Sequence, residues 1–193
     1  MGFRKLALMI FLLLFIGVAV SAFWFSSKNV EESRRMSMKV TEKILNEGVK
    51  KGVLHNEVLE IRNKRKYDNM IRKIAHFVLY VFAGFFGAGA AYFWDETGNN
   101  TKKMDLYVLV LFLCIALAVF DELHQKFVPG RGPMLKDVLI DTAGASMGII
   151  IWFIVSCMAK KARNARRKKL QAAKLFENAK MTIYEKEKGN ASV

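Results

Sequence analysis

Residues 74–94 read IAHFVLYVFAGFFGAGAAYFW, a run without a single Asp, Glu, Lys or Arg. A helix of about 20 apolar residues crosses the roughly 30 Å of hydrocarbon in a bilayer, because each residue adds 1.5 Å. The small residues inside the run recur at helical spacing, as they do where one membrane helix packs against another. The stretch therefore predicts a transmembrane helix.

Three further apolar blocks lie on either side of this span. Together they predict an all-α fold, an integral membrane four-helix bundle with spans at about 6–25, 74–94, 104–121 and 138–158. The first block follows Arg4 and Lys5 and suits either a signal peptide, with a cleavage context at 20–22, or a membrane anchor. Its length exceeds that of a signal-peptide core, so we expect an uncleaved helix.

The net charge of +14 comes from basic residues that lie between and after the apolar blocks. Anionic headgroups attract such residues by about 1 kcal/mol each, so we expect membrane lipids as partners and no nucleic acid. Residues 26–73 carry apolar positions at near-helical intervals and predict an amphipathic interfacial segment. Residues 159–193 form a basic tail without a span, so the chain divides into a membrane domain, 1–158, and this tail.

The dense basic cluster after the fourth span favours a cytoplasmic carboxyl terminus, and four spans then place the amino terminus on the same side. Basic residues between the first two spans oppose this orientation, but a loop that long approaches the length at which translocation ignores charge. We therefore expect a multi-pass protein of the cytoplasmic membrane with both termini in the cytoplasm.

Four glycines are the predicted helix-packing positions. Close backbone approach is a main source of association between helices in lipid, where no hydrophobic force draws them together. The candidates are Gly84 and Gly87 in the second span, and Gly144 and Gly148 in the fourth.

Many ionisable residues lie where the second span begins, the third ends and the fourth begins. In an antiparallel bundle these three ends share one face of the membrane, so we expect their side chains to form a polar cluster. The candidates for this cluster, or for a substrate-binding site, are Arg72, Lys73, His76, Tyr80, Asp121, Glu122, Gln125, Arg131, Asp137 and Asp141.

Two interpretations of the cluster stay open on the sequence alone. In the structural one, Arg72 or Arg131 pairs with a carboxylate and locks the helix ends together. In the functional one the residues form a binding or catalytic site, since ionisable groups inside a membrane mark such sites and arginine clamps phosphate or carboxylate. No HExxH-like spacing is present and both cysteines lie inside apolar blocks, so we expect no metal, no other cofactor and no disulfide.

Three motifs resemble the VanZ-like family of membrane proteins: RKIAHFVLY at 72–80, DELHQKFVPGR at 121–131 and DVLIDTAG at 137–144, with FSS at 25–27. The resemblance covers most of residues 6–158. Members of the family often carry Asn at the position of Asp141, so this chain adds a potential negative charge there. The resemblance implies a bacterial cytoplasmic-membrane protein with four spans, in a family named for low-level resistance to the glycopeptide teicoplanin.

The resemblance does not imply a mechanism, and two functions follow as hypotheses. One is a cell-envelope protein that contributes to glycopeptide resistance through a polar site at the outer face. The alternative is a membrane-embedded enzyme that modifies a lipid or a lipid-linked envelope precursor. Beyond membrane lipids, lipid-linked precursors and the glycopeptide are therefore candidate partners, and the oligomeric state stays open.

Overall fold

The computed structural model describes residues 2–28, 30–53, 61–96, 103–128, 132 and 134–190. Across these ranges the chain forms α-helices and no strand. The helices are α1 (Phe3–Ser26), α2 (Val30–Lys50), α3 (Ile61–Glu96), α4 (Lys103–Gln125) and α5 (Leu135–Asn190). All of them except α2 are long and apolar enough to cross a membrane. The predicted all-α fold with four membrane spans is confirmed.

Many large apolar side chains of the spans point outward, and small residues fill much of the interior. Leu13 on α1 and Phe112 on α4 are each 65% exposed, whereas Ala88, Cys114 and Ala145 are fully buried. Large side chains directed outward are stable when the surroundings are hydrocarbon, and small interior residues let helices approach closely. The distribution is that of a bundle in lipid.

Helices α3 and α5 touch through their backbones. A Cβ atom added at Gly84 would overlap the carbonyl oxygen of Ala145, and one at Gly148 would overlap that of Val81. Gly144 approaches the carbonyl oxygen of Phe77 in the same way. A side chain at any of these three positions would therefore force the two helices apart.

Gly87 differs from these three glycines, because the three atoms nearest to an added Cβ there belong to side chains. The nearest are Cγ1 of Val110, at 2.7 Å, and the ring of Phe15. This glycine brings α3 close to side chains of α1 and α4 rather than to the backbone of α5.

The helix that contains the second span begins earlier than the apolar run, at Ile61 rather than at residue 74. Residues 61–73 are polar but contain neither glycine nor proline, so nothing in them ends a helix. Helix α2 packs on this extension, where the Thr41 hydroxyl donates to Asp68 Oδ1 at 3.2 Å and Leu45 is buried. Val40 and Ile44 lie on the exposed side of α2. One face of the predicted interfacial segment is thus covered by α3.

The chain divides into two compact units, Met1–Trp152 and Phe153–Val193. The first holds the bundle. The second continues α5 as a basic helix whose described side chains between 157 and 178 are exposed. The sequence contains no glycine or proline from 149 to 188, which is why the tail stays helical. The predicted cytoplasmic location of this tail stays a prediction.

Replacing Gly148 by alanine should destabilise the bundle by about 1–3 kcal/mol, the usual cost of forcing extra atoms into a packed interior. The added Cβ would meet backbone atoms of α3, which cannot rotate aside. Gly17→Ala is the matched control, because a Cβ on that glycine of α1 meets no atom within 4 Å. Unfolding of the purified proteins in detergent measures the difference, and equal midpoints for the two variants would contradict the proposed packing.

Candidate functional site: a polar cluster at one end of the bundle

His76 lies between two carboxylates that come from two other helices. Its Nδ1 atom is 3.9 Å from Oδ2 of Asp121 on α4 and 3.8 Å from Oδ2 of Asp141 on α5. The antiparallel order of the spans brings these three helix ends together, as the sequence predicts. We call His76, Asp121 and Asp141 the central cluster.

The two carboxylates of the central cluster are buried, with Asp121 only 3% exposed and Asp141 only 2%. Within the part of the chain that the structure describes, Oδ1 of Asp141 accepts no hydrogen bond. The His76 side chain retains 23% of its exposure. A buried carboxylate in an apolar bundle is costly unless it is paired, wetted or bound to a cation, and the histidine connects these carboxylates to the surface.

Tyr80 lies one turn further into α3 and is almost fully buried. Together with Asp121 it lines a cleft of about 20 Å³ between α1, α3 and α4. That volume holds about one water molecule. His76 is partly exposed at the end of the bundle.

A set of pairwise contacts surrounds the central cluster. The Lys73 ammonium donates to Oδ1 of Asp137 at 2.6 Å, joining α3 to α5. Oε2 of Glu122 accepts a 2.8 Å hydrogen bond from the backbone N–H of Met134, which links α4 to the start of α5. These contacts join the ends of α3, α4 and α5, as the structural interpretation of the polar residues expects.

Residues that share a helix face in the sequence have different partners in the structure. Asp137 and Asp141 lie four residues apart, yet the first pairs with Lys73 and the second faces His76. Lys73, which the structural interpretation did not name as a partner, forms the ion pair with Asp137. Arg72 is half-buried at the same end of α3, and Arg131 lies outside the described residues.

Ser26, in the FSS motif at 25–27, belongs to this end of the bundle, although it is not among the predicted residues of the polar cluster. It is fully buried, and its hydroxyl accepts a 2.7 Å hydrogen bond from Nε2 of Gln125. The order of the spans predicts this position, because the first span ends at the membrane face at which the second begins. This contact ties α1 to the end of α4.

The central cluster offers two kinds of chemistry. An imidazole held between carboxylates can transfer a proton, because the carboxylates orient the ring and stabilise its charged form. One nitrogen and two carboxylate oxygens can also bind a metal ion, and one ligand atom from each of the three residues lies within 4.8 Å of the others. The absence of a local metal motif from the sequence does not bear on ligands that three separate helices contribute.

Residues 9–156 match the protein family described as VanZ/LLP1. The chain belongs to the VanZ/LLP1 family. The resemblance seen in the sequence motifs is thereby confirmed. The matched region of this VanZ/LLP1 protein includes the central cluster and all the contacts around it, whereas most of the basic helical tail lies beyond it. No curated protein and no solved structure matches the chain significantly.

Ser26→Ala should destabilise the VanZ/LLP1 bundle by about 1 kcal/mol, because the Gln125 amide loses its acceptor in a partly buried position. The neighbouring Ser27→Ala is the control, since its exposed hydroxyl contacts only the Phe23 carbonyl of its own helix, and it should change stability by less than about 0.5 kcal/mol. Denaturation of Ser26→Ala, Gln125→Ala and the double variant measures the coupling. Strictly additive losses would show that the two side chains do not interact.

Proposed function

We propose that this VanZ/LLP1 protein is a bacterial cell-envelope protein that contributes to low-level resistance to teicoplanin-type glycopeptides through the polar cluster at the outer membrane face. The observation that carries the proposal is the burial of Asp121 and Asp141 beside the partly exposed His76, within a chain that belongs to this family. Ionisable groups are retained inside a membrane protein at a cost, and they generally mark functional sites.

The orientation in this proposal follows from the basic tail. Lys and Arg accumulate on the cytoplasmic side of spans, and the stretch from Lys160 to Lys169 contains seven of them. A cytoplasmic tail places the start of α5, and with it the central cluster, at the opposite, outer face. At that face the cluster is in reach of lipid headgroups, of lipid-linked precursors of the wall and of a glycopeptide anchored by its acyl chain.

The geometry also supports a way in which the cluster takes part. His76 is the one member of the central cluster with appreciable exposure, so a polar group that arrives from the outer leaflet meets the imidazole first. Lys73, more than one third exposed beside Asp137, adds a cation at the rim of the same end. A cation and an imidazole next to buried carboxylates suit an anionic or amide-bearing headgroup.

Deletion of the gene should lower the minimum inhibitory concentration of teicoplanin and raise its binding to the cell surface. Complementation with the wild type should restore both, whereas His76→Ala and Asp121→Ala should not, because each removes part of the central cluster. Ser27→Ala, present at the same level in the membrane fraction, is the control that should restore both. Unchanged susceptibility and surface binding in the deletion strain would refute the resistance role.

The second candidate function is a membrane-embedded enzyme acting on a lipid or a lipid-linked envelope precursor. The specific observation in its favour is the separation of less than 4 Å between the His76 imidazole and each of two buried carboxylates, an arrangement suited to general acid and base catalysis. Such an enzyme would alter the envelope chemically, whereas a protein that only binds would leave its composition unchanged.

For the enzyme, mass spectrometry of lipids and wall precursors should show a species that accumulates on deletion and disappears on complementation. His76→Ala should lower the corresponding turnover by purified protein by about 10²–10⁴-fold, the usual contribution of a general acid or base. Identical profiles in the deletion and parent strains, together with no turnover of such precursors in vitro, would exclude this alternative.

A further inference from the structure

We propose that His76, Asp121 and Asp141 bind one divalent transition-metal ion, with Zn²⁺ the best fit. The donor set is one imidazole nitrogen and two carboxylate oxygens. Zinc accepts both kinds of ligand, at about 2.0–2.1 Å from nitrogen and about 2.0–2.2 Å from oxygen. Mg²⁺ and Ca²⁺ prefer oxygen alone, so the imidazole favours a transition metal over either of them.

The spacing of the donor atoms supports a shared ion. His76 Nδ1 is 3.9 and 3.8 Å from the two carboxylate oxygens, which is longer than an N–H···O hydrogen bond. Ligands about 2.1 Å from a tetrahedral ion are about 3.4 Å from each other. The two distances from His76 Nδ1 would need to shorten by about half an ångström to match this value. One ligand atom from each of the three residues already lies within 4.8 Å of the others.

Burial supplies the second, independent argument. Asp141 is 2% exposed, and its Oδ1 atom accepts no hydrogen bond from any residue that the structure describes. An ionised carboxylate in that position needs compensation by a positive charge. The ammonium of Lys73 is engaged by Asp137 at 2.6 Å. A divalent ion between Asp121 and Asp141 would supply positive charge beside Asp141 and give its second oxygen a place in the coordination shell.

Three protein ligands leave a fourth position of a tetrahedral zinc ion open. His76 is the ligand with remaining exposure, so the open position faces the end of the bundle. Water, or an anionic oxygen such as that of a phosphate or carboxylate group, is the chemical class that fits there. The metal site does not depend on the proposed role in glycopeptide resistance.

The test uses the full chain, purified in detergent with a tag that contains no histidine and stripped with a chelator. After equilibrium dialysis against ZnCl₂, metal analysis should find about one zinc per wild-type chain. His76→Ala, Asp121→Asn and Asp141→Asn should each weaken binding at least about tenfold. Asp137→Asn is the matched control, because this carboxylate lies one turn before Asp141 on α5 but pairs with Lys73. His124→Ala is a second control, since His124 contacts the Phe23 ring instead.

A wild-type chain that retains no zinc, or an Asp141→Asn variant that binds it as tightly as Asp137→Asn, would overturn the proposal. Should a cluster variant fail to fold, Co²⁺ added to the wild type gives a decisive second measurement. Visible absorption bands of tetrahedral cobalt that stoichiometric Zn²⁺ removes would support the site, and their absence would reject it. Loss of metal binding and loss of glycopeptide resistance are separate readouts, so either proposal can fail while the other stands.

Discussion

The close backbone contact between α3 and α5 is the constraint on which the polar site depends. Gly84, Gly144 and Gly148 have no side chain at positions where any carbon would strike a carbonyl oxygen of the facing helix. The same two helix faces also carry polar residues, which precede the glycines in each helix. His76 lies eight residues before Gly84, and Asp141 lies three residues before Gly144, so both fall on the faces that the glycines bring together. Once the glycines set the distance and rotation of the two helices, the imidazole and the carboxylate have to meet.

The apolar surroundings make the contact between His76 and Asp141 energetically important. In water a misplaced carboxylate can turn towards solvent at little cost, whereas in an apolar bundle it needs a partner. At this end of the protein, Gln125 donates a hydrogen bond to Ser26, and Asp137 accepts one from Lys73. The central cluster differs in composition, because it places two buried carboxylates beside one imidazole.

Membership of the VanZ/LLP1 family and the geometry of the cluster point to the same part of the molecule. The matched region, 9–156, ends near the boundary between the bundle and the basic helical extension. Helix α2 and the polar beginning of α3 form a second layer of helix packing, in which Thr41 and Asp68 are buried against each other. The polar site itself uses only the ends of the four spans. All of its residues belong to the bundle, and His76 is partly exposed at that end.

The number of spans and the set of polar residues at one end could be read from the sequence. An apolar run of about 20 residues is most stable as a helix that spans the bilayer. When four such helices alternate in direction, their order in the chain determines which helix ends lie at the same membrane face. The sequence could not show that α3 starts at Ile61, because hydropathy marks where lipid begins and not where a helix does. The sequence also could not show that Lys73 pairs with Asp137, that Asp141 lies next to His76, or that Ser26 accepts a hydrogen bond from Gln125. Spacing of four residues places side chains on one face of a helix, but the rotation of that face towards its neighbours is set by the packing of side chains and glycines from different spans, and only the tertiary structure contains it.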